Sequence, residues 1–93
     1  MMDDAGVRRT EAQLTLWGEE IERREARLLT QDREPRMVAV LHVDELRVML
    51  VTARERFKAL QAEPTVHRDL RTAEFDHAWN ELAAAIDRPM PWP

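Results

Sequence analysis

A chain of 93 residues with no cysteine has room for one small hydrophobic core and none for a disulfide framework or a thiolate metal site. Its net charge of −4 comes from interspersed acids and bases, which argues against a nucleic-acid partner, whose footprint is a basic face. Met1–Gly6 carries no apolar leader and no apolar run is long enough to span a bilayer, so the expectation is a cytoplasmic protein that does not engage a membrane.

Five prolines and only two glycines divide the chain into three segments of helical length and a tail. The first segment, about 7–30, repeats Val7, Leu14, Trp17, Ile21 and Leu28 at helical spacing. Glu19–Arg23 and Glu20–Arg24 stand four apart with the acid first, the favoured order for ion pairs on an exposed helix face. Gly18 is out of place in a helix interior and costs about 1 kcal/mol relative to alanine. Its position beside the apolar stripe suggests either close approach of a neighbouring helix or ring, or simple tolerance of the glycine.

The short connection through Pro35 predicts a second helix, about 36–62, lying antiparallel to the first. Within its opening run, Met37–Val51, the stretch Met37–Val43 also has a strand reading, with Asp44 capping a helix that would start at Glu45. Strand followed by helices is the general plan of ribbon-helix-helix DNA-binding dimers, and a dimer of that type is one alternative. A lone strand needs a partner, however, and no other segment has strand character, so the helical reading is preferred. Placed on a helical wheel, Val38, Ala39, Val43, Leu46, Met49, Leu50, Ala53, Phe57 and Leu60 share one broad core face. Met37, Val40, Leu41, Val48 and Val51 lie on the other side, interrupted by Asp44. A helix apolar on two sides is usually covered on both, so this second stripe is expected to form a partner interface. Asp44 would be a solvated acid near a helix start, or an interface acid paired with an arginine such as Arg47 of a partner.

The third segment, about 65–88, follows Pro64, with Thr65 a cap candidate. Phe75, Trp79, Leu82 and Ile86 form its apolar stripe, while Val66 and Leu70 fall on the opposite face. A continuous or slightly kinked helix is expected, with Thr72 as the place for any interruption. The tail from Pro89 is expected to be extended, and Trp92 between prolines is a further candidate contact for a partner or for the end of the bundle.

Nucleophilic catalysis finds no cysteine or serine to use, and the two isolated glycines exclude a phosphate-cradling loop. Glu74 and His77 have the Glu-x-x-His spacing that, in carboxylate-bridged di-iron bundles, puts two ligands on one helical face. Two copies in a dimer would supply the number such an iron site requires, and zinc would accept the same donors. This metal site is the enzyme-like alternative. The preferred expectation is an all-α, three-helix bundle built on an antiparallel hairpin and assembling as a dimer. It would act as a non-catalytic protein-interaction or self-associating module without a cofactor. The expected core is Leu14, Trp17, Ile21, Leu28, Leu46, Met49, Leu50, Ala53, Phe57, Leu60, Phe75, Trp79, Leu82 and Ile86.

Overall fold

The carboxylate of Asp3 accepts a hydrogen bond from the Gly6 amide at 2.6 Å, satisfying one of the free N–H groups that every helix start exposes. This cap starts α1 at Asp4, ahead of the Val7 that apolar spacing alone suggests, and α1 runs Asp4–Leu29. The computed structural model describes residues 3–30 and 37–90. The connection through Pro35, the expected start at Arg36 and the tail tryptophan Trp92 lie outside the described residues.

The whole of Met37–Val51 is helical, within α2, Met37–Ala62. No strand occurs among the described residues, so the pairing element of a ribbon-helix-helix dimer is absent there. After Pro64 a single 3-10 turn, Thr65–His67, leads into α3, Arg68–Asp87. Thr65 sits within that turn and does not cap α3, and Thr72 lies inside an uninterrupted helix. The Arg88 amide bonds to the Ala85 carbonyl at 3.3 Å, and Pro89, lacking an N–H, cannot extend the helix.

The three helices pack as an up-down-up array with α2 in the middle. Antiparallel contacts join it to α1 through Glu25–Arg47 and to α3 through Arg56–Glu74, with Arg88 and Glu45 3.9 Å apart at the other end. Two contacts bridge α1 and α3 directly, Trp17 with Trp79 and Arg24 with Ile86, both in parallel register. Helices of 26 residues are about 39 Å long, so the array is elongated at 53 × 22 × 17 Å. Its radius of gyration is 15.5 Å, against about 12 Å for a compact chain of this length.

The core is a continuous strip along the inner face of α2, from Ala39 to Leu60, met by Leu14, Ile21 and Leu28 from α1 and by Phe75, Ala78, Leu82 and Ala85 from α3. Four residues expected at its centre, Trp17, Met49, Trp79 and Ile86, sit half-buried on its rim. Ala39, Val43, Ala78 and Ala85 are buried in the interior with the branched side chains. Small side chains let the helix backbones close in, whereas an indole needs a wet edge for its N–H. Trp17 and Trp79 pack on each other there, with ring centroids 4.6 Å apart. Val38, placed on the core face by the wheel, is exposed. At Gly18 an added Cβ would lie 3.3 Å from the flexible end of the Arg54 side chain and 3.5 Å, an ordinary contact, from Leu50. Side chains of α2 thus reach this point, but an alanine would need only a small shift of the guanidinium.

Candidate interaction surface

The side of α2 that faces away from the core carries most of the apolar stripe anticipated from the sequence. Met37, Leu41, Val48 and Val51 are 68%, 57%, 65% and 54% exposed. Asp44 is exposed between them. Val40 departs from this set: it is half-buried and packs against the core cluster. At about 100° per residue it lies some 60° round from the centre of the stripe, on the side where α1 packs. The other exposed apolar side chains, such as Leu16 and Leu29 on α1 and Val66 and Leu70 near the start of α3, form no comparable line along one helix.

Beside the stripe, an open groove of about 570 Å³ runs between α2 and α3, bordered by Val48, Met49, Thr52, Arg56, Glu74 and His77 among others. Glu74 and His77 therefore do share a face, as their spacing implies. Each is already engaged. The Glu74 carboxylate accepts from Arg56 of α2 and, at 3.0 Å, from Arg71, so it works as a crosslink between helices. His77 lies 3.3 Å from Glu81 in a solvated pair. Two guanidinium groups on one carboxylate oppose a cation electrostatically, and among the described residues no group of three or more His, Cys, Asp or Glu side chains gathers as metal ligands would.

The most unusual polar site was not anticipated. Arg24, read as part of an exposed ion pair, is 7% exposed and points into the junction of all three helices. Its Nε donates to Glu20 at 3.1 Å, one Nη donates to His42 Nε2 of α2 at 2.8 Å, and the other donates to the Ile86 carbonyl of α3 at 2.6 Å. A guanidinium has only donors, so His42 must accept here, which makes it neutral with its proton on Nδ1. Ile86 lies in the last turn of α3, where carbonyls lack a partner within the helix. Arg24 thus caps α3 from α1. The spacing contained the signal: the stripe steps seven residues from Ile21 to Leu28, and Arg24 occupies the skipped position three after one and four before the other.

The charges follow from this geometry. Burial lowers the pKa of His42, and the positive charges of Arg24 and Arg88 lower it further, against a smaller opposite pull from Glu45. Burial by itself would raise Glu20, but the hydrogen bonds and charges of Arg24 and Arg23 outweigh it and hold the carboxyl below its ordinary value. A histidine depressed in the folded state binds fewer protons there than when unfolded. Its contribution is complete above the ordinary value of 6.5 and falls as the pH drops below it toward the folded pKa. Thermal unfolding should therefore show a falling midpoint from pH 7.5 to 5, and His42→Gln, which keeps an acceptor without titrating, should flatten that slope. An unchanged slope in His42→Gln would remove His42 as the cause. Glu20 adds a second loss in the same direction, as the pH falls through the carboxylate range.

Comparison with protein-family models, with curated proteins and with solved structures gives no match. No helix among the described residues is long and apolar enough to cross a membrane.

Proposed function

We propose that the protein is a small helical interaction module without catalytic activity, which engages a protein partner through the outer face of α2. One observation carries this reading. Met37, Leu41, Val48 and Val51 stand exposed on one line of a helix whose opposite line, Val43, Leu46, Leu50 and Ala53, is buried. Leaving four large apolar side chains in water gains nothing for the folded monomer, whereas covering them is favourable at roughly 25 cal/mol per Å² of apolar surface. The array is also complete without them, because α1 and α3 already cover the inner face of α2.

The test is the mass in solution by light scattering, together with binding of an apolar fluorescent dye, for the wild type and for a Val48→Glu, Val51→Glu double variant. Both positions are exposed, so the variant should fold with unchanged helical circular dichroism. Self-association or dye binding that the double variant loses supports the reading. A wild type that is monomeric and binds no dye overturns it. Uptake of iron or zinc that Glu74→Ala abolishes would replace it with the metal-site alternative.

A further inference from the structure

We infer that the partner for this face is α2 of a second copy of the chain, laid antiparallel across a two-fold axis so that Asp44 of each copy meets Arg47 of the other. The inference rests on the outer face of α2 being a protein-binding surface, and adds what binds there and in which register.

The spacing selects a helix as the occupant. Met37, Leu41, Asp44, Val48, Val51 and Glu55 follow one another at steps of four, three, four, three and four. That is the alternation of a heptad seam, which keeps one line of side chains facing a single neighbouring helix over about 27 Å. A strand or an irregular loop would not match it.

Charge selects a copy of the same helix and sets its direction. In a parallel pair, Asp44 would face Asp44 and Glu55 would face Glu55 within the seam, stacking like charges where water is excluded. Antiparallel pairing about an axis level with residue 46 removes both conflicts. Leu41 then lies over Val51 of the other copy. Asp44 lies level with Arg47 and Val48 of the other copy. Glu55 approaches the first turn of the other α2, which has no acidic residue of its own and carries the positive end of the helix dipole. On the wheel Asp44 leans toward the side of α2 that carries Arg47 and packs on α1. A two-fold axis perpendicular to antiparallel helices keeps that side in common, so acid and base meet on one edge of the seam. Arg47 is suitably held. Its guanidinium pairs with Glu25 of α1 while its side chain stays 45% exposed, leaving N–H donors for a second acid. An isologous contact of this kind closes at two copies.

Sedimentation equilibrium of the full chain tests the pairing. The wild type should dimerise, while Asp44→Arg and Arg47→Glu should each weaken dimerisation at least tenfold, because each homodimer then opposes like charges. Mixing the two variants should restore a dimer near wild-type strength, since the mixed pair has acid facing base on both sides. Because the chain has no cysteine, engineered cysteines report the register directly. Leu41→Cys mixed with Val51→Cys should form a crosslinked heterodimer under mild oxidation. Failure of the mixed variants to recover, or Leu41→Cys crosslinking only to itself, overturns the antiparallel copy. A monomeric wild type that still binds an apolar dye lost on Val48→Glu overturns it too, while leaving the protein-binding surface intact. A monomer without dye binding removes both.

Discussion

Replacing Arg24 by alanine should destabilise the fold by about 3 kcal/mol, from three losses that act together. The Ile86 carbonyl loses its donor at a half-buried helix end, where an unpaired acceptor costs toward the lower end of the about 1–3 kcal/mol of a fully buried one. Glu20 keeps only Arg23, a pair at the surface that contributes little. The long arginine stem, buried on the same helix face as Ile21 and Leu28, leaves a gap when removed. For a chain of 93 residues the whole folding free energy is only about 5–14 kcal/mol, so the loss is a substantial part of it. At about 4–8 °C per kcal/mol, the melting midpoint should fall by roughly 12–24 °C. Arg24→Lys should recover less than half, because one ammonium cannot reproduce a planar fork aimed at three separate acceptors. Urea denaturation of the three proteins at one fixed concentration measures this. A variant within about 0.5 kcal/mol of wild type, the range of an ordinary surface change, would show that Arg24 does not hold the helices together.

Leu46→Ala should have an effect of similar or greater size, about 3–4 kcal/mol. Leu46 is 0% exposed and sits in the N-terminal half of α2, on the strip that both other helices cover. Truncation removes the transfer energy of three carbons and leaves a cavity that two packed helices cannot collapse from both sides, in the range of 2–5 kcal/mol for such changes. Val48→Ala, two residues on and exposed, is the matched control and should change monomer stability by less than about 0.5 kcal/mol. The pair separates the two faces of one helix with a single kind of measurement. Equal losses at the two positions would contradict the one-sided burial of α2.

Periodicity exposed the helices because burial repeats with the helical turn: Leu14 and Ile21 in α1, and Phe75 and Leu82 in α3, mark buried faces that fall where their spacing puts them. The double-sided character of α2 was equally plain, and the exposure of Met37, Leu41, Val48 and Val51 agrees with it. Less legible was how each residue type shares the interior. The tryptophans rank as core by hydrophobicity, yet Trp17 and Trp79 form a rim contact while Ala78 and Ala85 go inside. Ring size and the indole N–H decide that, and neither appears in an apolar pattern. Arg24 was hidden for a related reason. Local spacing pairs it with Glu20 at the surface, and only His42 and Ile86, distant in sequence, make its burial tolerable.

Amphipathic spacing, proline punctuation and the absence of cysteine were enough by themselves to determine an all-helical chain and to mark the second apolar face of α2. Those are properties of a turn or two of backbone, and the local sequence contains them. Which side chains seal the junction of the helices, where Glu74 finds its partner on α2, and that Val40 turns inward were decided by the tertiary structure alone. Only the His77–Glu81 and Arg71–Glu74 pairs follow helical spacing. The bonds of Arg24 to His42 and Ile86 and of Glu74 to Arg56 join residues 18 or more apart, and the placing of Val40 depends on the rotation of one helix against another; a linear pattern carries neither.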